Sequence, residues 1–401
     1  MTAGSGDEIA DCSGLCFPGP PGSVTDELMV RDAEATGRDA AALAAAQPPA
    51  PGVTPPMAEI LAGLDAVRRA RLFAGPLARL DTAPAANDEL PDPRRPELRA
   101  RGLFRHLIGH PDAPELTVVL APGAIADDGL VLPHVDALLR PHPALPIAIR
   151  QHDNIVRFIR GDGISVTLPL GRPLPADFVH PVLASLPRLG GLPVLNAAAE
   201  VAATFGSFEL ARGEALATAI TRLAGSLALL AECWPEAAAA LRRHAGGFVL
   251  LAPRGFERSH TPKTLRGAIL LTARDPQAIG DLLCHEASHL RMLPFLERDP
   301  LVAADAEADR AGFASPWRPD PRPLRGVLLG VHAFLNVCGF HRRLLRHPCF
   351  GATARAILDR QVVKLRRGLD LLQAHGRPTR RGGELMREMA AAVEQLDGGP
   401  A

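Results

Sequence analysis

Residues 285 to 289 read H-E-A-S-H and lie in a stretch whose apolar residues recur with a helical period. Two imidazoles four residues apart project from one helix face and can bind one divalent metal ion. Upstream, Asp275 suits the N-cap and Pro276 suits the first helical position, whereas Pro294 is expected to end or kink the helix. The sequence therefore predicts a rigid helix with a metal-binding pair at its middle.

Composition narrows the functions that this chain can have. Its 401 residues predict two or three folding units, and its 44 basic residues balance 44 acidic ones. A net charge of zero does not indicate a broad surface for nucleic acid. The N-terminus lacks the pattern of a secretory signal, and no apolar run reaches the length of a membrane span. We therefore expect a cytoplasmic protein with reduced thiols that binds neither nucleic acid nor membrane.

The distribution of β and helical patterns predicts an α+β protein that is mostly α. Residues 1–56, rich in Gly, Pro and Ala, are expected to be a flexible segment with a short helix near 32–46. Residues 57–205 predict a smaller β-rich α+β module with the capacity to bind a peptide by strand pairing. Residues 206–401 predict a helical metal-binding catalytic domain with a small sheet. Cys12 and Cys16 form only a weak Cys-x3-Cys signal, so the flexible segment is expected to be functionally idle.

Several individual elements follow from the same patterns. Strands are predicted at 116–120, 147–150, 155–159, 164–168, 247–251 and 267–271, with a hairpin turn at 161–163. Helices are predicted at 57–75, within 207–245 with a break near Trp234, at 324–346 and within 352–397.

A catalytic metal usually has a third protein ligand, and the chain offers several downstream of the histidine pair. The candidates are Glu307, Asp309, His332 and His341. A carboxylate such as Glu307 would complete the two-His, one-carboxylate set of a gluzincin zinc peptidase, in which Glu286 activates water. His341 adjoins two arginines on a face that we expect to be solvated, so it ranks below the others.

The region from about 245 to 346 resembles a known family. A Gly-Ala strand at Gly267-Ala268 precedes the HExxH helix, a P-W-R-P-D-P-R-P loop follows at 316–323, and a G-x-L-x-G-x-x-A pattern spans 326–333. This arrangement is similar to the HExxH-domain proteins of gene clusters for ribosomally made, modified peptides, some of which are fused to radical SAM maturases. The loop is much more specific than HExxH itself.

The resemblance implies a 2-oxoglutarate-dependent Fe(II) enzyme that β-hydroxylates a residue of a ribosomal precursor peptide, with a radical SAM maturase as a further partner. Such an enzyme needs three facial ligands and open positions for the co-substrate and O2. His285, His289 and His332 are the ligand set in this reading. Arg318 and Arg322 are suitable guanidinium groups for the distal carboxylate of 2-oxoglutarate.

Glu286 has a different part in each reading. In a peptidase it is the general base, whereas an oxygenase needs no base there, and Glu286 would then orient a ligand or substrate. Its position on the apolar stripe predicts that it is buried. The alternatives are a zinc metallopeptidase that trims a peptide and a non-catalytic peptide-binding module.

Overall fold

A computed structural model describes most of the chain. The described residues are 16–18, 24–46, 53–54, 57–74, 104–122, 129–175, 177–197, 201, 208–254, 258–262 and 265–398. Its helices are α1 (Val24–Ala46), α2 (Met57–Ala62), α3 (Ala66–Leu72), α4 (Gly213–Cys233), α5 (Pro235–His244), α6 (Pro276–Leu296), α7 (Ala306–Ala311), α8 (Leu324–Leu344), α9 (Gly351–His375) and α10 (Arg380–Gly398).

The strands are mostly short. They are β1 (Val53–Thr54), β2 (Leu116–Leu120), β3 (Leu130–Leu132), β4 (Ala137–Leu139), β5 (Ile147–His152), β6 (Ile155–Arg160), β7 (Ser165–Pro169), β8 (Leu183–Ser185), β9 (Arg188–Leu189), β10 (Leu192–Pro193), β11 (Gly247–Leu251), β12 (Ser259–His260), β13 (Ala268–Thr272), β14 (Val302–Ala303) and β15 (Arg377–Pro378). The prediction of an α+β chain that is mostly α is confirmed.

The chain divides into two compact units. The helical unit takes its described residues from 1–29, 222–244 and 274–401, and the β-rich unit takes them from 30–221 and 245–273. These units do not follow the predicted boundary at residue 205. The chain returns to the helical unit at residue 222, crosses back to the β-rich unit at 245, and belongs to the helical unit again from residue 274 onward.

The β-rich unit is built on an antiparallel five-stranded sheet in the order β1-β2-β5-β6-β7. The alternating burial of β2 and β5 gives this sheet one buried face. Gly163 adopts a φ of 86° in the turn between β6 and β7, where the sequence predicts the hairpin. The strands predicted at 116–120, 147–150, 155–159 and 164–168 are confirmed within one or two residues.

Two three-stranded sheets and the two-stranded sheet of β9 and β10 also belong to this unit. One has the order β3-β4-β8, and the other has the order β11-β13-β12 with β11 and β13 parallel. Every residue of β11 and β13 is buried, which explains why both read as continuous apolar runs. β11 and β13 fall within the predicted C-terminal domain, whereas their contacts group them with the β-rich unit.

In the helical unit, α8 packs against both α6 and α9. Its core combines residues from these helices and from α10, among them Leu328, Leu335, Leu365 and Met389. The helix predicted at 324–346 is confirmed, and so is the break between α4 and α5 at Trp234. By length and composition alone, α4 and α8 would pass for membrane spans, contrary to the expectation from sequence. The most apolar window of α8 is 72% buried within the protein, as in the core helix of a globular unit.

Near the N-terminus the structure departs from the prediction of a flexible, idle segment. Residues 24–46 form one helix, which is longer than the predicted helix at 32–46. Cys16 is buried, and its thiol donates to the Leu385 carbonyl at 3.9 Å, whereas Cys12 lies outside the described residues. The helix predicted at 57–75 is two short helices, because Asp65 caps a new helix by accepting from the Arg68 amide at 2.8 Å.

The cap of α6 provides a test of how its sequence fixes the helix. Asp275 Oδ1 accepts from the Ala278 amide at 2.9 Å. We predict that Asp275→Ala lowers the free energy of unfolding by about 1 kcal/mol. Asp275→Asn keeps a cap oxygen and should stay within about 0.5 kcal/mol of the wild type. Chemical denaturation measures both, and equal losses in the two variants would contradict the capping role.

Candidate metal centre

Helix α6 holds the HExxH segment at its middle, as the sequence predicts. Asp275 is the N-cap and Pro276 the first residue of the helix, so both predicted start signals are confirmed. Pro294 does not stop the helix at once, since α6 continues to Leu296. Fourteen of the 21 residues of α6 are buried, which fixes the helix within the unit.

The two histidines converge on one point. His285 Nε2 and His289 Nε2 are 3.1 Å apart, and their rings lie nearly perpendicular with centroids 4.7 Å apart. Two imidazole nitrogens that each lie about 2.0–2.1 Å from one zinc-like ion have a comparable separation. Glu286 is 2% exposed, which confirms its predicted burial, and one donor atom from each of the three residues lies within 4.8 Å of the others.

Burial keeps both imidazoles in the neutral form that binds metals. It lowers the pKa of His289 to about 4. Burial also lowers the pKa of His285 well below its usual range, and electrostatic repulsion of a second proton by His289, Arg318 and His332 acts in the same direction. At neutral pH no proton therefore competes for the ring nitrogens. The donor set fits a divalent transition metal ion.

Aromatic rings line one side of the site. The Phe334 ring on α8 meets the His285 ring edge to face at 5.0 Å, and the Trp317 ring stacks parallel on Phe334 at 4.8 Å. Trp317 Nε1 donates to Gln361 on α9 at 2.9 Å. This bond and the stacking fix the loop between α7 and α8 against two helices.

Glycines make room for the indole of Trp317. A Cβ added at Gly330 on α8 or at Gly368 on α9 would lie 3.1 Å from the ring. The two helices thus approach Trp317 more closely than larger residues would permit. Because Trp317 is fixed, the next residue, Arg318, is held where its charge acts on His285.

The two arginines of the loop have different surroundings. Arg322 Nη2 is 2.7 Å from Asp320 Oδ2, so a neighbouring carboxylate partly neutralises this guanidinium. Arg318 is exposed, and within the described parts of the chain neither an ion pair nor a hydrogen bond occupies its side chain. Of the two predicted co-substrate groups, Arg318 is thus the one available for a carboxylate near the histidine pair.

The other candidate ligands lie outside the cluster of three. Among the residues that the structure describes, the cluster contains neither His332 nor Glu307 nor Asp309. His332 is fully buried on α8, and it is near enough to act electrostatically on the pKa of His285. Glu307 is exposed on α7, and Asp309 Oδ1 instead accepts from the Leu324 amide at 2.6 Å, at the start of α8.

The expectation that His341 lies on a solvated face is wrong. Its side chain is fully buried, and its Nε2 is 2.7 Å from Asp281 Oδ1. Asp281 precedes His285 by four residues, so it shares the helix face of the histidine pair. Burial raises the pKa of the Asp281 carboxyl, although its contact with His341 acts in the opposite direction. The spacing of Asp281 was a signal in the sequence that could have revealed this pair.

Other buried polar groups of α6 lie away from the histidine pair. Burial raises the pKa of the Cys284 thiol, which therefore stays protonated at neutral pH. Burial lowers the pKa of Arg291 to about 10, so this guanidinium remains charged. No signal in the sequence alone marked Arg291, since an arginine on a helix is usually at the surface.

No family model and no curated protein sequence matches the chain. The resemblance carried by the HExxH helix and the loop at 316–323 therefore stays a prediction.

Metal binding should depend on both histidines. His285→Ala and His289→Ala each reduce two-point ligation to one, so each should lose most of the bound metal. His375→Ala, at the exposed end of α9, is the matched control and should retain it. Metal analysis of protein purified without chelator measures all three. Full metal content in His285→Ala or His289→Ala would refute the site.

Proposed function

We propose that this protein is a 2-oxoglutarate- and Fe(II)-dependent oxygenase that hydroxylates a side chain of a ribosomally made peptide at its β-carbon. The observation that supports it most is the convergence of two buried imidazoles at Nε2, with Arg318 close enough for its charge to act on His285. A histidine pair with a nearby guanidinium suits a metal centre that takes a dicarboxylate co-substrate.

His285 and His289 would hold the iron, with His332 as the proposed third ligand. Iron bound with 2-oxoglutarate supplies the oxidising power to replace a C–H bond with C–OH. The protein's residues hold and orient the reactants. The Phe334 ring at 5.0 Å from His285 forms an apolar boundary that limits the access of water to that side of the site.

Arg318 would bind the distal carboxylate of 2-oxoglutarate. Its guanidinium has no partner among the described residues, and it can offer two parallel donors to a carboxylate. Arg322 is the weaker choice, because Asp320 already occupies one of its nitrogens at 2.7 Å. Trp317 acts as a positioning residue, since its contacts with α8 and α9 fix the backbone next to Arg318.

Glu286 would orient groups at the centre and not act as a base. A buried carboxylate next to a ligand histidine can fix the direction of a ring or accept a hydrogen bond from bound substrate. In the alternative, zinc replaces iron and Glu286 deprotonates the bound water of a peptidase. The proximity of Glu286 to both histidines favours that alternative. Among the described residues Glu307 and His332 both lie outside the cluster of three, so the third ligand does not separate the two functions.

The β-rich unit offers a place for the peptide substrate. Strand β7 lies at an edge of the five-stranded sheet, and an extended leader segment could add to it as a further strand. This mode uses main-chain hydrogen bonds and would accept precursors of varied sequence. The proposal includes a cytoplasmic location and a radical SAM maturase as a partner in the same peptide modification.

The activity of the Glu286→Gln variant distinguishes the two enzyme classes. In an oxygenase, Glu286→Gln should keep iron and still convert 2-oxoglutarate to succinate, even where peptide hydroxylation falls. In a peptidase the same change should remove nearly all turnover, because no group deprotonates the metal-bound water. Succinate and peptide mass are measured together, and a gain of one oxygen by the peptide supports the proposal. A cleaved peptide without succinate in any variant would overturn it.

Arg318→Ala should raise the KM for 2-oxoglutarate about 10–100-fold, the range expected for a lost charge-assisted hydrogen bond. The KM for peptide should change little. Arg322→Ala, in the same loop, is the matched comparison and should shift the KM for 2-oxoglutarate by less than about threefold. Steady-state succinate assays measure both constants. A larger increase of the KM for 2-oxoglutarate in Arg322→Ala than in Arg318→Ala would mean that Arg322 binds the distal carboxylate.

A further inference from the structure

Helix α9 carries three basic side chains on one side, Arg360, Lys364 and Arg367, which we call the basic row. Arg360 and Arg367 are exposed, and Lys364 is partly exposed. An α-helix turns by about 100° per residue, so Arg360 and Arg367 lie about 40° and 60° around the axis from Lys364, both in the same direction. The three side chains therefore share one strip of surface along about two turns of α9.

The positive charge of the basic row is not balanced by a carboxylate. Residues three or four apart on a helix are neighbours, so Lys364 lies beside both arginines, and like charges in these positions repel each other. The two acidic residues of α9, Asp359 and Asp370, lie about 140° and 120° around the axis from Lys364. Across the part of the chain that the structure describes, no carboxylate forms an ion pair with the basic row. The row therefore has its charge available for an external anion.

The basic row lies beside the loop that carries Arg318. Trp317 contacts α9 at two places, because its Nε1 donates to Gln361 at 2.9 Å and a Cβ added at Gly368 would lie 3.1 Å from its ring. Lys364 lies between these two positions along the helix and within about 60° of both around the axis. Lys364 therefore borders the surface that Trp317 covers, and the next residue of the loop is the exposed Arg318.

The spacing of the basic row suits an extended peptide. An α-helix rises about 1.5 Å per residue, so Lys364 lies about 6 Å along the axis from Arg360, and Arg367 lies about 4.5 Å further on. An extended chain rises about 3.3 Å per residue and directs alternate side chains to one face, about 6.6 Å apart. Carboxylates at alternate positions of such a chain can therefore each meet a different cation of the row.

Apolar side chains border the basic row and favour a peptide over a nucleic acid. Ile357 and Leu371 are partly exposed and lie within about 20° of Lys364 around the axis. Val363, on the other border, is 50% exposed. A peptide can bury apolar side chains against these residues, whereas a phosphate backbone cannot. The formal net charge of the chain is zero, which gives no general attraction for a polyanion.

We propose that the basic row of α9 binds an acidic, extended segment of the peptide substrate. The peptide would then pass beside Trp317 and Arg318, which places a neighbouring residue of the same peptide near the metal centre. That the bound peptide is the substrate rests on the proposed function. The segment is distinct from the leader segment proposed for β7, and it defines the substrate class as peptides with carboxylates at alternate positions.

Binding of a labelled peptide to the metal-free full chain tests this inference without turnover. The probe is a fluorescent peptide of alternating Glu and Thr, and the matched probe has Gln in place of Glu. Anisotropy should show tighter binding of the Glu peptide. Arg360→Gln combined with Lys364→Gln should weaken that binding about fivefold, because each exposed ion pair contributes modestly. Arg355→Gln combined with Arg366→Gln removes two charges from the other side of α9 and should weaken it less than about twofold.

The inference is rejected if the Glu and Gln peptides bind equally, or if the two double variants lose the same affinity. Tighter binding of a single-stranded oligonucleotide of equal charge would also reject it, because the occupant would then be a nucleic acid. The hydroxylation assay separates this inference from the proposed function. If an acidic peptide is hydroxylated with an unchanged KM in the Arg360→Gln, Lys364→Gln variant, the basic row has no role and the function stands. If the Glu peptide binds through the row but the wild type forms no succinate with any peptide, the row stands and the proposed function is wrong.

Discussion

Helix α6 is buried over most of its surface and yet carries several ionisable side chains. The packing of the helical unit must therefore provide partners for these groups. A polar group removed from water must find a partner within the protein or a bound ligand. Asp281 Oδ1 lies 2.7 Å from His341 Nε2, and Arg291 Nη2 donates to Asn336 Oδ1 at 2.6 Å. The Nε2 atoms of the histidine pair lie 3.1 Å apart, which is an arrangement that a bound cation would satisfy. The packing of other helices against α6 therefore depends on the polar side chains of α6 as well as on its apolar ones.

In the loop at 316–323, the packing of one side chain, Trp317, fixes the position of the next residue, Arg318. Trp317 stacks on Phe334, donates to Gln361 and fits against glycines of two helices. An exposed arginine has little intrinsic order, because its long side chain loses entropy when it is held in one place. The backbone next to a clamped tryptophan is ordered already, so Arg318 needs to restrict only its side chain to reach a carboxylate. The proline-rich sequence of the loop further limits its backbone.

Local signals predicted α6 well, because caps and helical periodicity act over a few residues. Asp275, Pro276 and the buried Glu286 were all predicted from such signals. The break at Asp65 in the helix predicted at 57–75 is a local feature that was missed, whereas other errors concern features that depend on distant partners. Burial of His341 depends on Asp281 of another helix, and the parallel pairing of β11 with β13 joins segments about 20 residues apart. The sheet of β3, β4 and β8 was not predicted, since three-residue strands are too short for an alternating pattern.

A metal ion at the histidine pair would have a thermodynamic consequence for the whole of α6. The ion would bind only while α6 is packed in place, so it would disfavour local opening of that helix. The coupling would be reciprocal, because any change that favours opening of α6 would weaken metal binding, and its size would be limited by the free energy of opening α6. Polar groups on a buried helix can in this way link the stability of the helical unit to the occupancy of its sites.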